Sequence, residues 1–204
     1  MEDAKVFNLD KLVTDNIRTL SLPAKRYDHP VAIILVGGPF SGKTTLVSFL
    51  AKRLPLAVIS ETSMASFLAP RATFFKRGIE EIFLLASKTI AELIRQKVSV
   101  IYDATVKKHS DRELIRKLVS EAGGKMVLVH LVLPEEEVYH RLRKINAQIV
   151  RGDRKGFIMD KELLRYELNT IEHPSVEETT LIYNERESQA AEKVEDYIRA
   201  MLQN

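Results

Sequence analysis

The stretch Gly37-Gly38-Pro39-Phe40-Ser41-Gly42-Lys43-Thr44-Thr45 restricts what this chain can fold into more than any other. It reads G-x-x-x-x-G-K-[ST], with Gly37, Gly42, Lys43 and Thr44 at the fixed positions. A glycine-rich turn lets successive backbone N–H groups point into one concavity, and such a concavity holds a phosphate. A helix starting near Ser41 adds the positive end of its dipole. The motif needs a strand before it and a helix after it. Val31-Ala32-Ile33-Ile34-Leu35-Val36 is a continuous apolar run, as expected of a buried parallel strand. Leu46, Val47, Leu50 and Leu54 then recur at helical spacing until Pro55. A glycine turn that binds nothing has no need of this frame. Residues Gly38, Pro39, Phe40, Ser41, Gly42, Lys43, Thr44 and Thr45 are therefore the expected nucleotide-binding segment. Lys43 would reach the β- and γ-phosphates and the Thr44 hydroxyl would ligate Mg²⁺.

The rest of the chain repeats the same alternation. Leu56–Ser60, Val98–Tyr102, Met126–Leu133 and Thr179–Tyr183 read as further strands. Helical stripes fall between them, at about 79–94, 110–122, after Pro134, after the capping residue Asp160, and after Ser188. Residues 62–77 read as irregular, with Pro70 as a breaker. Strands alternating with helices imply a parallel sheet with right-handed crossovers, in which ligands lie beyond the C-terminal strand ends. The expected organisation is an N-terminal helical extension over 1–30, carrying Leu9, Leu12, Val13, Ile17 and Leu20, followed by one domain over 31–204. With 204 residues and 45% hydrophobic content there is enough apolar material for a core. The absence of cysteine excludes disulfides, thiolate zinc sites and a cysteine nucleophile. Neither a signal peptide nor an apolar run of about 18 residues is evident, so a cytoplasmic protein without membrane contact is expected. The net charge of +3 is too weak to argue for nucleic acid.

Two acids follow predicted strands. Asp103 closes the third, where a carboxylate can hold Mg²⁺ or accept a proton from an attacking hydroxyl; this is favoured over a strand-end Asp that only caps a turn. Glu61 follows the second. It either aligns and deprotonates an acceptor hydroxyl or simply stabilises a helix N-terminus, and the residues favour neither. Arg141, Arg143, Lys144, Arg151, Arg154 and Lys155 cluster around Gly152 and Gly156, over about 141–158. Arg141, Arg151 and Arg154 read as a lid that neutralises charge on a transferring phosphoryl group. Arg143 and Lys144 read as surface. Arg71, Lys76 and Arg77 could meet an anionic acceptor or be ordinary surface charge, and Phe74 and Phe75 read as core. The five histidines show no metal-ligand spacing.

These residues together resemble the small P-loop kinases of the AAA-like ATP-binding family, with zeta toxins and polynucleotide 5′-kinases as relatives. The resemblance runs from about Val31 to Tyr183. Its anchors are the glycine-rich motif, Ile101-Tyr102-Asp103-Ala104-Thr105, Leu131-Val132-Leu133-Pro134 leading to Arg141, and Glu167–Pro174. It implies a three-layer α/β fold with a five-stranded parallel sheet like that of nucleoside monophosphate kinases, and a helical arginine lid. It also implies ATP·Mg²⁺ binding and γ-phosphoryl transfer to a hydroxyl, with Glu61 as the acceptor-activating acid. Two departures stand out. The family usually has Asp where this chain has Glu61. Relatives acting on polynucleotides have Arg where this chain has Met64.

The favoured expectation is a kinase for a small or nucleotide-like hydroxyl acceptor. A 5′-hydroxyl polynucleotide kinase and a nucleotide-dependent switch or adaptor are the alternatives. Asn184-Glu185-Arg186-Glu187 lacks the Lys and Asp of a guanine-reading motif, which favours ATP. The acceptor and the oligomeric state are not legible in the residues.

Overall fold

Six consecutive residues with no solvent exposure, Val31–Val36, form β1 at the centre of the sheet. Side chains alternate across a strand, so this run must be covered on both faces. Ala32, Ile34 and Val36 enter one core and Val31, Ile33 and Leu35 the other. A computed structural model describes residues 8–69 and 78–203. In chain order the elements are α1 (Leu9–Ile17), β1, α2 (Lys43–Ala51), β2 (Ala57–Ser60), α3 (Glu61–Leu68), α4 (Ile79–Arg95), β3 (Val100–Thr105), α5 (His109–Glu121), β4 (Lys125–Leu131), α6 (Glu135–Val150), α7 (Lys161–Asn169), β5 (Thr180–Tyr183) and α8 (Ala190–Gln203).

The strands form one parallel sheet in the order β2-β3-β1-β4-β5. Helices α1, α3, α4 and α5 cover one face, through Val13, Met64, Leu85, Ile90 and Ile115 among others. Helices α2 and α8 cover the other, through Leu46, Leu50, Val194 and Ile198. Three layers result, as the alternation of strands and helices requires. Helices α6 and α7 stand apart on a small cluster of their own, Val138, Leu142 and Leu164.

Several boundaries differ from the sequence expectation. Residues 61–68 are helical rather than irregular. Ser60 caps α3 by accepting from the Ser63 N–H at 3.0 Å, while the Ser63 hydroxyl accepts from the Ser60 N–H at 3.2 Å. Met64 and Leu68, four residues apart, bury the inner face. The third strand continues through Asp103 to Thr105. Residues 141–150 belong to the continuous helix α6, so only residues 151–160 connect it to α7. Asp160 caps α7 as expected, accepting from the Leu163 N–H at 2.7 Å. The last helix begins at Ala190, after Gln189 in the left-handed region at φ 58°, rather than directly after Ser188. Pro70, Arg71, Phe74, Phe75, Lys76 and Arg77 lie outside the described residues.

The largest fully buried side chain is a charged one, Arg112 on α5. Its Nε and Nη2 donate to the two oxygens of Glu178, at 2.7 and 2.9 Å. Its Nη1 donates to the carbonyls of Val106, Lys107 and Glu172. This bolt fixes the chain between α7 and β5 against the segment that leaves β3. His109 Nδ1 and the Ser175 N–H add to the same carboxylate, at 3.0 and 3.1 Å. Glu113 joins His109 and Glu178 in a group within 4.8 Å, but the Glu178 oxygens are already taken up by these donors.

The hydrogen bonds from Arg112 hold the Glu178 carboxyl down at about 2, against the penalty of burial. The fold favours the ionised form. Its contribution is therefore complete above the ordinary value of 4.5 and is lost as pH falls towards about 2. Arg112→Met should destabilise the fold by about 3–5 kcal/mol in urea unfolding at neutral pH, because it leaves a buried charge unpaired. Adding Glu178→Leu should recover part of that loss. A double variant no more stable than the single one would mean that the three backbone bonds, not the charge pair, carry the effect.

Candidate active site

The C-terminal ends of β1, β2 and β3 open at one edge of the sheet, and the chemically loaded residues gather there. Between β1 and β3 the register jumps from Ile34–Tyr102 to Leu35–Thr105, which leaves Asp103 and Ala104 without partners on β1. Irregularities of this kind re-aim side chains beside functional sites. On the other side Asp103 stays in register with Ser60 at the end of β2. Glu61 is the next residue, exposed, at the first position of α3.

The loop from Gly37 to Gly42 takes a path that glycine makes possible. Gly42 lies at φ 94° and Phe40, a non-glycine residue, at φ 64°. A Cβ on Gly37 would stand 2.7 Å from Ser41 Oγ and 3.0 Å from Leu131 Cβ. Lys43 opens α2 directly after Gly42, and the first N–H groups of that helix have no partner within it. Thr105 Oγ1 donates to the Gly37 carbonyl at 2.7 Å and braces the loop from β3. Lys43 Nζ donates to the carbonyls of Gly37 and Gly38, at 3.0 and 2.8 Å. Backbone, helix end and ammonium thus form an anion seat.

Burial lowers the Lys43 ammonium to about 8; Asp103 and Glu61 push it back up and Lys107 pushes it down. Both acids are therefore near enough to act on the lysine electrostatically. Thr44 Oγ1 donates to Asp103 Oδ1 at 3.2 Å. A hydroxyl and a carboxylate at this spacing are hard oxygen donors of the kind that suit Mg²⁺. Tyr102, one residue before Asp103, is raised above the usual phenol range, by burial first and by Glu61 second.

Of the three lid arginines expected from sequence, Arg141 reaches the loop. Its Nη1 donates to the Phe40 carbonyl at 3.0 Å and to Glu185 Oε2 at 3.1 Å, and its Nη2 pairs with Glu185 Oε1. Its Nε donates to Glu137 at 3.2 Å, and Glu137 also accepts from Arg186 at 2.9 Å. The two arginines draw the Glu137 carboxyl below its ordinary range. A Cβ on Gly42 would stand 2.7 Å from Glu185 Oε2, so this acid lies directly against the loop. Arg151 is exposed and paired with Asp153 at 2.8 Å, and Arg154 is exposed beyond it. Neither is brought to the loop in this conformation.

Sequence reasoning missed four participants. Thr105 sat inside a recognised stretch without a role. Lys107, which pairs with Glu167 at 2.5 Å and bears on Lys43, carried no signal. Glu137 and Glu185 act through Arg141; Glu137, one helical turn before it, was signalled by the i, i+4 spacing, whereas only the folded chain brings Glu185 to it. A cavity of about 180 Å³ beside the loop is lined by Gly37, Gly38, Ser41, His130, Leu168 and His173, among others. The two histidines meet there, with Nδ1 of His173 3.3 Å from Nε2 of His130.

The family model of the AAA domain matches residues 33–157. Among curated proteins, the signal recognition particle receptor FtsY of Buchnera aphidicola subsp. Schizaphis graminum is 31% identical over 130 residues. That alignment covers 61% of this chain and 35% of FtsY, so the chain spans about a third of the length of the curated relative it matches. Among solved structures, Chaetomium thermophilum Kti12 in complex with ADP-AlF3 superposes with a TM-score of 0.65 at 16% identity, over 85% of this chain and 99% of that one. The Mycobacterium tuberculosis APS kinase CysC, in complex with AMPPNP and APS, does so with a TM-score of 0.59 at 16% identity, over 86% and 99%. At these identities the likeness is one of fold, and it agrees with the strand order and layers described above. With a family model matched over more than half of its length, the chain belongs to the AAA domain family and carries the three-layer α/β fold of small P-loop kinases.

Proposed function

We propose that this chain is an ATP- and Mg²⁺-dependent kinase that transfers the γ-phosphoryl group to a hydroxyl of a small or nucleotide-like acceptor. The observation that carries the reading is the placement of Lys43, Asp103 and Glu61 around one loop: Lys43 bonds to the Gly37 and Gly38 carbonyls, Asp103 accepts from Thr44, and Glu61 follows Ser60, the strand partner of Asp103. A carboxylate at that place can activate water as well as an acceptor hydroxyl, and the fate of the γ-phosphoryl group separates the two.

In this reading the backbone of residues 37–45 cradles the β- and γ-phosphates, and Lys43 exchanges its loop carbonyls for phosphate oxygens. Thr44 and Asp103 would hold Mg²⁺, which supplies neutralisation of charge on the phosphates. Glu61, one residue beyond the strand partner of Asp103, suits the acceptor side. Its carboxylate orients the acceptor hydroxyl and takes its proton as the new P–O bond forms and the bond to the β-phosphate oxygen breaks, with ADP leaving. Arg141 anchors the α6–α7 hairpin to the loop. Arg151 and Arg154 would arrive by movement of the connection between those helices, offset transition-state charge and exclude water. Among the described residues no helix is long and apolar enough to cross a membrane.

Three outcomes are expected. With γ-labelled ATP and pooled hydroxyl acceptors, label should move to an acceptor, and Lys43→Ala should reduce transfer by about 10²–10³-fold. Label released only as free phosphate would overturn the kinase reading. Glu61→Gln should lower turnover by about 10²-fold with little change in nucleotide affinity, whereas Asp103→Asn should raise the Mg²⁺ concentration needed for half-maximal rate. Nucleotide binding should also take up protons. A lysine at about 8 is half neutral at that pH, and phosphate favours the charged form. Calorimetry in buffers of different ionisation heat should show about half a proton taken up by the lysine per nucleotide at pH 8 and almost none at pH 6.5. Lys43→Arg should abolish the difference.

A further inference from the structure

The hairpin of α6 and α7 has two unlike faces. One carries Glu137 and Arg141 and is turned to the phosphate-binding loop. Each helical residue advances by about 100°, so Glu135, Tyr139 and Arg143 fall on another side of α6. With Glu136, and with Lys161 and Arg165 one turn apart on α7, they line an open groove of about 350 Å³. Arg143, Lys161 and Arg165 are exposed, and among the described residues none of them makes an ion pair within 4.0 Å. Arg151 is paired with Asp153 and Arg186 with Glu137, while Lys144, Arg154 and Lys155, also exposed and without an ion pair among the described residues, extend the basic surface along the chain.

Three unpaired cations around one groove favour an anion with more than one charge. The groove also has a flat wall in the half-buried ring of Tyr139. An aromatic side chain lining a basic groove can stack a base, and Tyr139 lines this one. Glu135 and Glu136, which line the same groove, repel phosphate but accept hydrogen bonds from sugar hydroxyls and exocyclic amines. A flexible strand can turn its phosphates away from these acids, as a flat anionic membrane cannot. Phosphate, flat ring, hydroxyl and amine together are the chemistry of one nucleotide within a chain.

We propose that the outer groove of this hairpin docks single-stranded nucleic acid, with phosphates on Arg143, Lys161 and Arg165 and a base against Tyr139. The site is separate from the loop at 37–45 and does not depend on phosphoryl transfer.

The test is fluorescence anisotropy of the full chain with labelled oligouridylate RNA and oligothymidylate DNA of about a dozen nucleotides. Binding of at least one polymer should be saturable at about 50 mM salt and weaken steeply by about 200 mM. The triple variant Arg143→Ala/Lys161→Ala/Arg165→Ala should bind about tenfold more weakly or worse and show a shallower salt dependence, while ATP binding, which reports its folding, stays unchanged. Tyr139→Ala should weaken binding without changing the salt slope. Lys43→Ala should bind oligonucleotide like the parent, so loss of the kinase reading would leave this result standing. Absence of saturable binding to either polymer, wild-type affinity in the triple variant, or capture only by phosphatidylserine vesicles would overturn the proposal.

Discussion

The structure depends on burying β1 on both faces. Six residues with no exposure must find backbone partners inside the fold; β3 and β4 supply them on either side, and the Ser99 hydroxyl accepts from the Val31 N–H. That pairing puts the end of β1 beside the ends of β3 and β4 and sends the chain out of the sheet at Gly37. The loop is then held from three directions. Thr105 braces it from β3, Leu131 packs on it from β4, and a Cβ on Gly38 would collide with Leu168 of α7. A phosphate seat made of backbone must be rigid, because its donors act only if they already point inward. The rigidity here comes from the sheet, not from the loop.

The same burial sets the electrostatics of the site. Desolvation weakens the charged form of Lys43, and the acids at the ends of β2 and β3 restore it in part. Lys43 is meanwhile bonded to two loop carbonyls, a position that keeps an ammonium satisfied until a stronger anion arrives. Arg141 is held in a comparable way by Glu137, Glu185 and the Phe40 carbonyl. Both cations of the loop are thus engaged with groups that a phosphate can replace. Preorganisation and exchange coexist because every partner is a local oxygen acceptor.

What was legible in the sequence was what is local. The motif from Gly37 to Thr45, the apolar run before it and the helical stripe after it lie within about one strand–loop–helix unit, and residue type decides each of them. Asp103 and Glu61 stood out because each closes an apolar run; Glu61 does follow β2, whereas Asp103 lies within β3, which runs on to Thr105. Helix α3 was missed because its reciprocal cap uses Ser63 where the usual pattern has Glu or Gln, and because Pro70 suggested a break too early. The Arg112–Glu178 pair was not legible at all. Its members are 66 residues apart, and nothing in the composition around Arg112 distinguishes it from a surface arginine. Glu185 is 44 residues from Arg141, and its position against Gly42 follows from how β5 pairs with β4.

The arginine cluster shows how far a charge count can mislead without a helix phase. Read along the chain, Arg141, Arg143 and Arg151 are one basic segment. Once α6 runs unbroken to Val150, two residues of separation turn Arg143 through about 200°, so it leaves Arg141 and joins the groove with Tyr139. Arg141 then faces acids and a loop carbonyl, while Arg143 shares its groove with two cations, two acids and a ring. A helix whose Val138 and Leu142 pack on Leu164 of α7, with Tyr139 and Leu168 beside them, has a narrow apolar stripe and wide polar flanks. Those flanks are free to take on separate tasks: one belongs to the phosphate-binding loop, and the other carries cations that the fold itself leaves unpaired.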